Sequence, residues 1–322
     1  MARTKTDSLA ISPEALARKK ARDKSRKKAL WRRNIPLFIM FSIPFFYFLI
    51  FCYGPMGGLV MAFEQYRPRN GLFGSEWVGL MNFKIIFGTR SMVNIILNTV
   101  RLGLLTVLVS FPFPIMLAIL LNEVGNAKFK KTTQTILYLP HFFSWVIMGG
   151  IVITLFSFRG PVNTVIDAMG GTKYGFMTSK TSWVVIYLFA GVWKEMGYDA
   201  IVYLAALTNI DPTYYEAAQL DGASRWQQVT RITVPMLMPT IILMFILATG
   251  RVMSVGFDRI YVLKNDAVAS VSNVVSIYSY EQGIRQGQFS MATAMGLFDS
   301  LVSLMLVLFT NWLAKRSDNA LF

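Results

Sequence analysis

Lys194, Glu195 and Asp199 interrupt an otherwise uncharged stretch from Thr181 to Ile210. On a helix, Glu195 and Asp199 stand four residues apart and share a face, and Trp193 and Tyr198 place aromatic rings beside them. Such a set suits a solute with both apolar and polar groups, because ring faces pack on C–H surface while planar polar side chains satisfy hydroxyls. Arg251 closes another uncharged run, Ile232 to Gly250. If the two runs cross a membrane in opposite directions, Arg251 comes to the depth of Lys194 and Glu195. Trp193, Glu195, Tyr198, Asp199 and Arg251 are therefore candidates to line or gate a path for a polar solute. A structural reading stands beside this one: the basic Arg101, Lys194 and Arg251 balance the acidic Glu195, Asp199 and Asp299 and can pair between helices. In either role these groups must face protein or water rather than hydrocarbon. Neutral and acidic solutes fit them equally.

Other chemistry is excluded by residue counts. The single cysteine, Cys52, cannot form an intramolecular disulfide, and the single histidine, His141, cannot build a histidine-based metal site. Cys52 lies in an apolar run, where a thiol is expected to act as a small packed hydrophobe. His141, between Pro140 and Phe142, reads as a polar residue at a helix kink. The Gly-rich stretch Gly170 to Gly175 lacks the spacing that cradles phosphates. A nucleophilic pair of Cys52 and His141 is formally open, but the packed reading of the thiol stands against it, and the chain is expected to bind no metal or cofactor itself and not to be an enzyme.

The elements that must position these charges are membrane spans. Of 322 residues, 54% are apolar and 15% charged, with mean hydropathy +0.47. Ile35 to Phe63 carries no charge, nor do Leu102 to Asn122, Thr132 to Phe158 and Ile232 to Gly250. Each approaches or exceeds the ~20 residues a helix needs to cross the bilayer. Thr181 to Ile210, and Gln286 to Ala314 with Asp299 inside it, add two spans with polar insertions. The expected fold is all-α and polytopic, with six transmembrane helices.

The formal net charge of +15 is concentrated in residues 1–35, which hold twelve Lys/Arg and three acidic residues. That tail should lie on the cytoplasmic side and attract an anionic leaflet of membrane lipid rather than nucleic acid. A helix over Ala15 to Arg33 could open at Ser12-Pro13. With an even number of spans both termini are cytoplasmic in the plasma membrane, although without the tail the loops favour the opposite orientation by ten basic residues to seven. Arg259 falls in an outer loop on this assignment. The expected organisation is a basic tail over 1–35, a transmembrane domain over 36–316 with a cytoplasmic loop at 209–235, and a short end at 317–322.

That loop carries the most local information. Asp211 can cap a helix beginning at Pro212, Gly222 supplies the left-handed residue that ends it, and Ser224 with Gln227 has capping-box spacing for a second helix. Two short helices meeting at Gly222, held at the membrane face by flanking spans, could transmit a push from a soluble partner.

Glu216-Ala217-Ala218, three residues, Gly222, nine residues, Ile232, one residue and Val234-Pro235 resembles the EAA loop of permease subunits of binding-protein-dependent ABC importers. Val234 replaces the leucine usual in that pattern, a conservative exchange. Tyr203-Leu204-Ala205-Ala206-Leu207, Leu121-Asn122-Glu123-Val124, Tyr138-Leu139-Pro140-His141-Phe142 and Ala294-Met295-Gly296-Leu297-Phe298 are similar to the carbohydrate branch, in particular to permeases importing oligosaccharides from polysaccharide breakdown. The resemblance implies a type I importer permease fold, a second homologous permease subunit, two cytoplasmic ATPase subunits carrying ATP and Mg, an extracytoplasmic solute-binding protein and an oligosaccharide substrate moved by alternating access. It assigns ATPase coupling to Glu216, Ala217, Ala218, Gly222, Ile232 and Pro235, and it makes the path proposed for Trp193, Glu195, Tyr198, Asp199 and Arg251 a sugar path, with neutral and acidic oligosaccharides both open. Two rivals are an ion-coupled secondary sugar transporter using Glu195 and Asp299 as coupling groups, and a membrane enzyme acting on lipid-linked sugars, for which Glu216 and Asp221 are poor candidates.

Overall fold

The computed structural model describes residues 13–315 and is helical almost throughout. Ser12 as a helix cap, Arg316 and the end at 317–322 lie outside the described residues. Two compact units divide at Leu59 and Val60.

In the first unit, α1 (Pro13–Phe48) runs unbroken from the basic segment into the apolar one and continues as a π-helical turn, Leu49–Tyr53. Pro36 and Pro44 lie inside it. The apolar segment presents Leu37, Phe41, Ile43 and Phe51 outward, which suits a helix solvated by lipid. Cys52, expected to pack, is exposed for the same reason.

The second unit begins with the end of a 3-10 segment (Gly54–Phe63), and among the described residues its only strands are β1 (Glu64–Gln65) and β2 (Glu76–Trp77), paired antiparallel around the short α2 (Gly71–Gly74). Then come α3 (Met81–Gly88), α4 (Arg90–Ser110), α5 (Pro112–Glu123), α6 (Ala127–Tyr138), α7 (Trp145–Phe156), α8 (Pro161–Ala168) and α9 (Lys180–Thr208). The remainder comprises α10 (Thr213–Leu220), α11 (Arg225–Gln228), α12 (Val234–Thr249), α13 (Phe257–Leu263), α14 (Ala269–Ser272), α15 (Val275–Ser279) and α16 (Phe289–Lys315).

Five helical segments among the described residues are long and apolar enough to cross a membrane: Arg33–Phe63, Arg90–Glu123, Trp145–Ala168, Arg225–Thr249 and Phe289–Lys315. The sixth expected span is α9. Its 29 residues reach about 43 Å at 1.5 Å per residue, and Lys194, Glu195 and Asp199 lie within it. Placement of the third span is corrected. The uncharged run Thr132 to Phe158 is two helices: α6 ends in a 3-10 turn at Leu139–Phe142 containing Pro140, and α7 starts afresh with Ser144 accepting from the N–H of Ile147 at 3.4 Å. Proline removes a helical donor and serine caps the next start, so an unbroken lack of charge did not mean an unbroken helix.

The core is built around α9, which packs against α4, α5, α6, α7, α12 and α13. Near the start of the helix, Trp183 stacks on Tyr187 with ring centroids 5.4 Å apart and donates its indole N–H to Leu263 O at 2.9 Å, tying α9 to α13. Towards its end, Tyr203, Leu204 and Leu207 pack with Ala118 and Leu121 of α5 and Leu237 of α12. Glycines permit close approach in between. A Cβ on Gly197 would lie 2.1 Å from Leu137 O of α6, and one on Gly103 of α4 would lie 1.8 Å from Val252 O.

Candidate functional site: a charged cavity and a rigid two-helix platform

The interrupting charges of α9 are organised by the break between α6 and α7. The buried ammonium of Lys194 donates to His141 O at 2.8 Å and to Glu195 Oε1 at 3.0 Å, while Glu195 Oε2 lies 2.6 Å from His141 Nδ1. The His141 ring stacks on Tyr198 at 3.8 Å and 2° between planes. The kink thus provides both a carbonyl and an imidazole to one turn of α9. Sequence reading placed His141 at a kink but did not link it to Glu195, 54 residues away.

Glu195, Asp199 and Arg251 line one cavity of about 330 Å³, together with Trp145, Tyr203 and Arg259. Antiparallel travel of α9 and α12 brings Arg251 to the level of the two carboxylates. Trp193 points elsewhere, into an apolar cavity of about 730 Å³ with Phe156, Phe176 and Phe189. Tyr198 acts as the stacking partner of His141 and does not border the charged cavity.

The assignment of Arg259 to an outer loop is corrected. It sits on α13 with 6% of its surface exposed, its guanidinium 3.8 Å from the centre of the Tyr187 ring and donating to Tyr187 Oη at 2.6 Å. The space it occupies exists because residue 191 has no side chain: a Cβ there would stand 1.7 Å from Arg259 Nη1. A count of charges along the chain reads Arg259 as solvated; packing of α13 against α9 buries it.

The platform at 209–235 forms from local rules. Asp211 Oδ1 accepts from Thr213 Oγ1 at 2.7 Å and from the Thr213 N–H at 2.9 Å, and these two bonds, the hydroxyl first, hold its carboxyl below the ordinary carboxylate range. Helix α10 therefore starts at Thr213, one residue beyond the proline. Its far end is a Schellman turn: Gly222 has φ +78°, Ala223 N–H donates to Ala218 O at 2.9 Å and Gly222 N–H to Gln219 O at 3.1 Å. Both arms of the Ser224–Gln227 capping box are present.

Tertiary bonds then fix the angle between the two helices. Buried Gln228 donates to Ala223 O at 3.0 Å, the Tyr215 hydroxyl meets Thr233 Oγ1 at 3.0 Å, and Arg225 lies 3.7 Å from Glu123 at the end of α5. Glu216, Ala217, Gly222 and Pro235 face outward, while Ala218 and Ile232 are half-buried. Leu220 at 90% and Trp226 at 74% exposure are apolar side chains open to a partner that sequence reading missed, since nothing in their spacing distinguishes them from buried residues. Helix α11 passes through a π-helical turn, Val229–Thr233, directly into α12.

The family described as "Binding-protein-dependent transport system inner membrane component" matches residues 85–321. The polygalacturonan/rhamnogalacturonan transport system permease protein YteP of Bacillus subtilis is 41% identical over 281 residues, covering 87% of this chain and 88% of that protein. Protein LplB of the same organism is 38% identical over 291 residues, covering 90% and 92%. Among solved structures, a bacterial ABC transporter involved in import of the acidic polysaccharide alginate contains a chain that is 39% identical, with TM-score 0.83, covering 90% of this chain and 99% of that one. The same values of identity and TM-score hold for a bacterial alginate ABC transporter in complex with an alginate pentasaccharide-bound periplasmic protein.

Proposed function

The chain belongs to the family of inner membrane components of binding-protein-dependent transport systems, and on that premise we propose that it is the oligosaccharide-conducting permease subunit of an ABC importer, driven through the platform at 209–235. It is a multi-pass membrane protein and a transport component. In this reading two partner ATPase subunits, which bind ATP and Mg, dock on Glu216, Ala217, Ala218, Gly222, Ile232 and Pro235, with Leu220 and Trp226 as apolar anchors. Both termini and the platform lie in the cytoplasm. A second, homologous permease completes the path, and an extracytoplasmic binding protein delivers the sugar. Relatives whose names specify polygalacturonan, rhamnogalacturonan and alginate support a polysaccharide-derived substrate.

The observation that carries the coupling role is the stiffness of the connection. Helix α9, with Glu195 and Asp199, ends four residues before α10 begins, and α11 runs without a linker into α12, which ends just before Arg251. Closure of the ATPases on α10 and α11 would therefore move both walls of the charged cavity as rigid levers, the hinge and shear motion that alternating access requires. An ion-coupled transporter has no use for this platform and is not favoured by a family that depends on binding proteins.

The complete importer purified with Glu216→Lys tests the docking. A charge reversal at an interface costs several kcal/mol, so co-purification of the ATPase subunits and substrate-stimulated ATP hydrolysis should each fall at least about tenfold. Unchanged recovery and stimulation would overturn the assignment of Glu216 to the contact.

A further inference from the structure

The charged cavity is lined by two carboxylates, Glu195 and Asp199, and two guanidiniums, Arg251 and Arg259, and Lys194 beside it already engages Glu195. Lys194 is held by Glu195, and Arg251 shares the cavity with Asp199, but Arg259 has no carboxylate within ion-pair distance among the described residues. Its hydrogen bonds go to neutral acceptors, Tyr187 Oη, Tyr187 O and Thr106 Oγ1, and its Nε–H is buried with no acceptor at all. Burying a guanidinium is costly unless a counter-charge or a full set of acceptors meets it. Stacking on Tyr187 and the proximity of the Trp145 ring, 5.5 Å away, offset part of that cost but leave the charge and one donor unmet. Gly191 leaves room for the guanidinium where any side chain would expel it. The protein therefore holds an uncompensated arginine at the wall of a cavity whose volume, about 330 Å³, lies within the range of ligand sites, roughly 300 to 1,000 Å³.

We propose that Arg259 is a specificity-determining station for the carboxylate of a uronate residue, so that this subunit passes acidic oligosaccharides in preference to neutral ones. The inference rests on the importer reading above and adds the substrate class. An arginine fork matches a carboxylate in a way a hydroxyl cannot, because only the carboxylate both neutralises the charge and accepts two N–H bonds. The rest of the wall fits the same sugar: Trp145 offers a ring for its C–H face, and Glu195 and Asp199 accept from its hydroxyls at a distance from the acid group. Arg251 supplies a second positive charge along the path.

The test uses the complete importer in proteoliposomes, with its binding protein saturated by a galacturonate trisaccharide or, separately, by its fully methyl-esterified form. In wild type, ATP-dependent uptake of the acid should exceed that of the ester at least about tenfold, the worth of a charge-assisted bond. Arg259→Gln should remove that preference by lowering acid uptake, and Arg259→Lys, which keeps the charge but not the fork, should fall between. Equal losses of acid and ester in Arg259→Gln, with all subunits still assembled, would make Arg259 structural and overturn the proposal while leaving the importer reading intact. If Arg259→Gln does not assemble, the wild-type ratio decides: a ratio near one overturns the proposal and a large one upholds it. Failure of the wild-type complex to take up either form would instead remove the importer reading.

Discussion

Replacing Gly222 by alanine isolates backbone conformation at the joint between α10 and α11. Gly222 has φ +78°, and a Cβ there meets nothing within 4 Å, so no steric clash contributes. Holding an alanine in the left-handed region costs about 1–2 kcal/mol, and the reduced freedom of the unwound chain offsets about 0.4–1 kcal/mol of this. The net of about 1 kcal/mol is roughly a fivefold shift towards a frayed joint. Hydrogen exchange at the Gly222 and Ala223 amides, which close the turn, should accelerate by that factor. Substrate-stimulated ATP hydrolysis in the assembled importer should fall with it if the ordered joint is what the partner grips. Gly222→Asn is the graded control, because asparagine visits the left-handed region more readily than alanine, and its effect should be smaller on both readouts. Wild-type exchange in Gly222→Ala, or equal damage from asparagine and alanine, would refute the reasoning.

Two further outcomes follow from the same geometry. Gly191→Ala places a Cβ 1.7 Å from Arg259 Nη1, and such overpacking should cost about 1–3 kcal/mol and lower the unfolding temperature in detergent, whereas Gly150→Ala, with open space around it, should leave that temperature unchanged or slightly raised. Because the folded Asp211 carboxyl titrates below its ordinary value, its contribution to the start of α10 is complete at neutral pH and is lost as pH falls through the depressed value; exchange protection at Thr213 should show this acid loss in wild type and no such titration in Asp211→Asn.

Legibility differed by the range of the interactions involved. The platform was readable almost residue by residue: Gly222, Ser224 and Gln227 occupy their expected capping roles, and Asp211 accepts from the Thr213 N–H one position ahead of the N-cap, because each bonds to backbone within a few positions of itself. The one local shift, a helix start at Thr213 rather than Pro212, is a matter of a single residue. Counting uncharged residues found the membrane segments but misjudged their ends. Arg101 lies within α4, and the run from Thr132 to Phe158 conceals the break at Pro140 and Ser144.

By itself, then, the sequence determined that the chain is a helical membrane protein, that one span carries three charges close together, and that a two-helix platform interrupts the last third of the fold. These follow from composition and from interactions spanning three or four residues. Only the tertiary structure decided how the charges are used. It joined His141 to Glu195 across 54 positions, turned Trp193 away from the charged cavity, and buried Arg259 against Tyr187, 72 positions distant. Whether a charge in a membrane protein is solvated, paired or left for a ligand depends on what packs opposite it, and helix packing brings together residues that no local pattern connects.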